Sequence, residues 1–115
     1  MRRPIWICVL AGGIVASCSN PGMRASLSPE RLKVALLEPG NCILGGDVID
    51  ESDVTMVTFS PKPGEKCRSE LDMVGGKALG FQIEGDLSHI QREKYYMVVV
   101  ENNRQWEKRI RVKAR

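Results

Sequence analysis

The fold class depends on residues 64–74, which read Gly-Glu-Lys-Cys-Arg-Ser-Glu-Leu-Asp-Met-Val. Within this stretch Cys67, Leu71 and Val74 follow the i, i+4, i+7 spacing of one helix face. Pro63 or Gly64 suits the first turn of a helix, and the glycine pair 75–76 suits its end. The segment therefore predicts an amphipathic helix with Cys67 on its buried face.

The residues around this segment favour β-strands, because β-branched and alternating apolar residues recur there. The strand-like runs are residues 32–37, 42–49, 54–59, 78–83, 95–100 and 106–113. The second and third runs suit a hairpin, and the last three suit an antiparallel meander with a polar loop at 85–94. We therefore expect an α+β domain, a small and mostly antiparallel sheet with one packed helix at 64–74. If that segment is not helical, the alternative is an all-β sandwich.

The first seventeen residues, MRRPIWICVLAGGIVAS, have the order of an export signal. Two arginines precede an apolar stretch of about a dozen residues, which is too short to span a bilayer. The chain of 115 residues then leaves room for one small domain. We expect a signal peptide at 1–17, a small polar tether at 18–30 and a single domain at 31–115.

The end of the signal, Val15-Ala16-Ser17-Cys18, resembles a bacterial lipobox. The resemblance implies cleavage before Cys18 and attachment of diacylglyceryl and acyl groups to it, and several acyl chains anchor a protein stably. Ser19, in place of the aspartate that retains lipoproteins at the inner membrane, suggests the outer membrane, with the domain facing the periplasm. The alternative is an ordinary signal peptide followed by a chance cysteine.

The chain has four cysteines. Cys8 leaves with the signal, and lipid on Cys18 leaves Cys42 and Cys67 as a pair in an oxidising compartment. A disulfide between them closes a loop of about 25 residues, worth about 3 kcal/mol in the chain-entropy model. A redox-active pair is the alternative, although the sequence lacks a Cys-x-x-Cys motif.

Two further segments resemble the small RcsF-like and YjeI-like envelope lipoproteins. One is residues 38–45, Glu-Pro-Gly-Asn-Cys-Ile-Leu-Gly, and the other is residues 67–80, from Cys67 to Gly80. The resemblance implies a sheet with one packed helix. Lys77 stands where that group has asparagine, and the group's C-terminal cysteine has no counterpart in this chain. The resemblance therefore implies no signalling role.

No residue pattern predicts an enzyme, a cofactor or a metal site. His89 lies in a polar stretch without a free nucleophile nearby, which favours a solvated histidine over a catalytic base. Asp47, Asp50, Glu51 and Asp53 lack the spacing of a calcium loop, which favours an acidic hairpin tip. We therefore expect a non-enzymatic role.

The last twelve residues carry six basic side chains against Glu107 alone. With one aromatic neighbour they form the candidate partner-binding set: Arg104, Trp106, Lys108, Arg109, Arg111 and Lys113. An exported protein meets anionic lipid, glycan or acidic protein partners there and not nucleic acid. A solvated edge strand is the competing interpretation.

The leading hypothesis is an interaction or structural role in the envelope, as an assembly or pilotin-like factor, a sensor, or a secretion or conjugation component. The alternative is a periplasmic inhibitor or anionic-ligand-binding module that uses the basic face.

Overall fold

The computed structural model describes residues 22–104 and 107–115, and every regular element among them is a β-strand. The strands are β1 Met23–Leu27, β2 Arg31–Leu36, β3 Ile43–Ile49, β4 Thr55–Pro61, β5 Glu70–Val74, β6 Lys77–Ala78, β7 Phe81–Gly85, β8 Tyr95–Asn102 and β9 Glu107–Lys113. Nothing in this part of the chain is a helix that could cross a membrane.

All nine strands belong to one antiparallel sheet in the order β1-β2-β5-β6-β7-β4-β3-β8-β9. The two outer strands of that order, β1 and β9, pack against each other. The amide of Arg115, just after β9, donates a hydrogen bond of 3.0 Å to the carbonyl of Leu27 at the end of β1. The sheet is therefore nearly closed on itself, and its concave side encloses the apolar core.

The predicted helix at 64–74 is wrong, and with it the α+β class. Residues 62–69 form an irregular connection, and β5 follows with Leu71 and Met73 buried and Val74 exposed. That burial has the period of a strand and not of a helix. Gly75 and Gly76 both have positive φ and form the two-residue turn of the β5–β6 hairpin. The all-β alternative names the right class, although a single nearly closed sheet replaces the two-sheet sandwich.

Two other expectations are corrected. The domain begins earlier than Arg31, because β1 pairs along its whole length with β2 and buries Met23 and Leu27. The predicted tether therefore ends by Gly22, and its earlier residues lie outside the described part. The predicted meander also fails, since β7 pairs with β4 whereas β8 pairs with β3 and β9. The β3–β4 and β8–β9 hairpins match the sequence pattern.

The disulfide between Cys42 and Cys67 is confirmed, with the two Cα atoms 5.0 Å apart. Cys67 lies in the exposed 62–69 connection and not on a buried helix face. The two residues after Cys67 accept backbone hydrogen bonds of 2.8 Å, Arg68 from the amide of Ile43 and Ser69 from the amide of Leu36. The disulfide thus joins the irregular 62–69 connection to the residue that precedes β3.

Strand alternation gives the sheet two distinct ends. Neighbouring strands run in opposite directions, so successive connections lie at opposite ends of the sheet. We call the end at which β1 starts the N-terminal end; it also holds the β2–β3, β4–β5, β6–β7 and β8–β9 connections. The β1–β2, β3–β4, β5–β6 and β7–β8 connections and Arg115 lie at the opposite end, which we call the far end.

Candidate partner-binding surface

Strand β9 divides its side chains between the two faces of the sheet. Ile110 and Val112 point into the core, and Arg109, Arg111 and Lys113 lie on the exposed outer face. The alternation in the sequence predicts this division correctly. Trp106, the aromatic member of the predicted set, lies outside the described residues.

Each outward cation on β9 has a carboxylate partner. Arg109 contacts Glu107 at 2.7 Å, and Lys113 contacts Glu93 at 3.2 Å. Arg111 contacts Glu51 in the β3–β4 connection at 3.4 Å. These pairs are exposed and individually weak, but together they make the face mixed in charge. The outer face of β9 is therefore not a uniformly positive strip.

The other two basic residues of the predicted set lie near the N-terminal end, Arg104 in the β8–β9 connection and Lys108 on β9, and both contact the β2–β3 connection. The Nε of Arg104 donates a hydrogen bond of 3.0 Å to Oδ1 of Asn41. The ammonium of Lys108 lies 3.4 Å from Oε1 of Glu38, and the Lys108 side chain is only 13% exposed. These contacts give both residues a role in holding connections together.

Tyr95 is the site residue that the sequence pattern did not identify. It begins β8 opposite Lys113 on β9. The guanidinium of Arg111 lies 4.0 Å from the centre of the Tyr95 ring, and the ammonium of Lys113 lies 6.0 Å from it. A cation over an aromatic face is attracted by the ring quadrupole. Tyr95 remains 37% exposed, so it is available to a partner.

The β3–β4 connection, residues 50–54, stands beside this aromatic residue as an ordered acidic tip. Oδ1 of Asp50 accepts hydrogen bonds from the amides of Ser52 at 2.8 Å and Val54 at 2.9 Å. Asp53 takes a left-handed backbone conformation with φ 66°. The side chain of Asp50 thus fixes the turn, a common use of aspartate in loops.

A shallow cavity lies on each side of the acidic tip. One, of about 210 Å³, is lined in part by Ile49, Glu51, Tyr95, Met97 and Arg111. We call these five residues the Tyr95 surface. The other, of about 280 Å³, shares Tyr95 and the tip but opens towards the β7–β8 connection. The tip and Tyr95 therefore form a ridge between two concavities.

His89 lies exposed in the β7–β8 connection and lines the second cavity together with Ser52. No hydrogen bond among the described residues joins these two side chains. The backbone amide of Gln91, in the same connection, donates a hydrogen bond of 2.9 Å to the Tyr96 hydroxyl. The connection also buries Leu87 and Ile90, which the polar composition of this stretch concealed.

The four acidic residues grouped in the sequence separate in the structure. Asp47 lies on β3 and accepts a hydrogen bond of 2.8 Å from the Thr58 hydroxyl, whereas Glu51 turns towards Arg111. Within residues 22–104 and 107–115 no three side chains of ligand type converge as a metal site requires.

Two carboxylates away from the Tyr95 surface have altered acidity. The hydrogen bond from Arg31 lowers the pKa of Asp72 below its ordinary value of 3.8, and the same contact raises the pKa of Arg31. Hydrogen bonds from the hydroxyl and amide of Ser88 lower the pKa of Asp86. Both carboxylates are thus held in the charged form.

No family model, curated protein or solved structure matches this chain. The resemblance to RcsF-like and YjeI-like lipoproteins therefore stays a prediction, and functional inference rests on the chain's own residues.

Proposed function

We propose that the protein is a lipoprotein of the outer membrane, acylated on Cys18 and facing the periplasm, that acts by binding an envelope protein. The Cys42–Cys67 disulfide supports an oxidising compartment. It also leaves Cys18 as the one cysteine without a disulfide partner once the signal is removed. Export and lipidation rest on the signal and the lipobox in the sequence.

The composition of the Tyr95 surface supports a protein as the binding partner. Tyrosine and arginine are among the residues that most often dominate binding energy at protein interfaces. Here they are stacked on each other, flanked by half-buried apolar side chains and bordered by charges of both signs. A surface with both charges suits a protein partner, which offers complementary charges of both kinds.

The direct test is co-purification from detergent-solubilised envelopes of the native host. We expect the wild-type protein to retain one stoichiometric partner and Tyr95→Ala to lose it. Val74→Ala is the matched control, since Val74 is also an exposed apolar residue but lies on β5. Retention of the partner by Tyr95→Ala, or the absence of any stoichiometric partner, contradicts the proposal.

The alternative function is binding of an anionic glycan through Arg109, Arg111 and Lys113, which share one face of β9. It predicts salt-sensitive binding of purified lipopolysaccharide without any protein partner. The carboxylate beside each cation makes this alternative the weaker one, because the anion must displace an existing partner.

A further inference from the structure

We propose that the N-terminal end of the sheet rests directly on the bilayer surface to which Cys18 is anchored. This inference rests on the proposed acylation of Cys18. The proposed contact surface is the end of the domain opposite the Tyr95 surface, and the partner of that surface is an anionic lipid bilayer.

The covalent reach of the chain sets the distance. The first described residue, Gly22, follows Cys18 by four residues, which span at most about 14 Å even when fully extended. The described part of the chain measures 44 × 33 × 21 Å, so this reach is shorter than each of its dimensions. The end of the sheet that contains Gly22 therefore stays close to the headgroups.

Exposed leucines lie at this end. The amide of Leu37 donates a hydrogen bond of 2.7 Å to the carbonyl of Gly22, which places Leu37 beside the entry of the chain. Leu44 lies at an irregularity in the pairing of β3 with β8 and is 52% exposed. Leu79, in the β6–β7 connection, is 80% exposed. Apolar side chains of this kind suit the boundary between headgroups and acyl chains.

The charges of the connections differ between the two ends. Those at the N-terminal end contain four basic residues against two acidic ones, namely Lys62, Lys66, Arg68 and Arg104 against Glu38 and Glu65. Those at the far end, with Arg115, contain three basic residues against six acidic ones, namely Arg92, Lys94 and Arg115 against Glu30, Asp50, Glu51, Asp53, Asp86 and Glu93. An anionic bilayer therefore attracts the N-terminal end and repels the far end.

Two of these cations are available for headgroups. No carboxylate of the described residues lies within ion-pair distance of Lys62 or Lys66, whereas each outward cation of β9 is paired. Both lysines are exposed in the 62–69 connection, which the Cys42–Cys67 disulfide fixes to the end of the sheet. Leucines and unpaired lysines thus occur together where the chain enters the domain.

The test measures which end of the acylated, full mature protein contacts lipid. The protein is reconstituted into vesicles of phosphatidylethanolamine and phosphatidylglycerol that contain a nitroxide-labelled quencher lipid. Trp106 is replaced by phenylalanine, and one tryptophan is introduced as Leu44→Trp, as Leu37→Trp or, for the control, as Val54→Trp. Val54 matches Leu44 in exposure, at 54% against 52%, but lies at the far end.

We expect several-fold stronger quenching for Leu44→Trp and Leu37→Trp than for Val54→Trp. Five residues of β3, Gly45–Ile49, follow Leu44 before the tip, and they separate Val54 from Leu44 by about 17 Å along the strand, away from the N-terminal end. If all three variants are quenched equally while mass spectrometry shows that Cys18 is acylated, the proposed bilayer contact is wrong and the proposed lipid anchor is retained. A preparation whose mass shows an unmodified Cys18 overturns both.

Discussion

The guanidinium of Arg111 lies 4.0 Å from the ring centre of Tyr95, on the outer face of the β8–β9 hairpin. The same guanidinium reaches Glu51 in the β3–β4 connection. One arginine thus joins an exposed aromatic ring to an acidic tip that is 60 residues away in sequence. This arrangement is the basis of the proposed partner-binding surface.

Loss of the Tyr95 ring is expected to weaken partner binding more than it weakens folding. Tyr95→Ala removes the exposed aromatic contact and should raise the dissociation constant at least about tenfold, or about 1.4 kcal/mol. Titration calorimetry with the purified partner measures this, with Val74→Ala as the control. An unchanged dissociation constant in Tyr95→Ala contradicts the assignment.

Removal of the disulfide is expected to destabilise the domain. Cys42 and Cys67 are separated by 25 residues, and opening a loop of this size costs about 3 kcal/mol in the chain-entropy model. The double variant Cys42→Ser/Cys67→Ser should therefore lose about that much free energy of unfolding in a denaturant titration. A reductant should destabilise the wild type equally and leave the variant unaffected. Equal stability of both proteins without reductant argues against the disulfide.

Substitution of Gly46 tests the packing inside the sheet. A Cβ atom at this position would collide with the carbonyl oxygen of Val99 and with the ring of Phe59. Gly46→Ala is therefore expected to cost about 1–3 kcal/mol of unfolding free energy, the range of overpacked cores. The neighbouring Gly45→Ala is the control, because its Cβ atom would meet only ordinary contacts. A smaller loss in Gly46→Ala than in Gly45→Ala is incompatible with the described β3–β4–β8 packing.

The pair Arg31–Asp72 should make the stability of the folded protein depend on pH in the acidic range. The hydrogen bond from Arg31 lowers the pKa of Asp72 below 3.8 in the folded state. The Arg31–Asp72 pair therefore contributes fully to the free energy of unfolding above the pKa that Asp72 has in the unfolded chain. That contribution is lost as the pH falls through the lower pKa of Asp72 in the folded protein. Between about pH 5 and pH 2 the thermal midpoint of the wild type should fall more than that of Asp72→Asn. Parallel midpoints for the two proteins would remove this pair as a source of acid sensitivity.

The sequence predicts well those parts of the fold that local alternation determines. The β3–β4 and β8–β9 hairpins follow from β-branched runs, and the outward cations of β9 follow from their period of two. The segment 64–74 misleads because its end signals suit either a helix or a turn. The pair Gly75-Gly76 between alternating residues is also a hairpin signal, and it favours a strand at β5.

The remaining errors concern contacts between distant parts of the chain. The register that places Tyr95 opposite Lys113 comes from the pairing of two strands. The contact of Glu51 with Arg111 depends on the strand order, which places β8 between β3 and β9. Neither is encoded in local spacing. The pairing of Cys42 with Cys67 could be predicted from the sequence because the expected loss of Cys8 with the signal and the expected lipidation of Cys18 leave these two cysteines.

The mass of the mature protein isolated from native-host membranes is the most direct test of the proposed lipid anchor on Cys18. We expect a chain that begins at Cys18, carries a diacylglyceryl and an amide-linked acyl group, and lacks the two hydrogens that the Cys42–Cys67 disulfide removes. A chain that begins at another residue, or an unmodified Cys18, would contradict the proposed anchor.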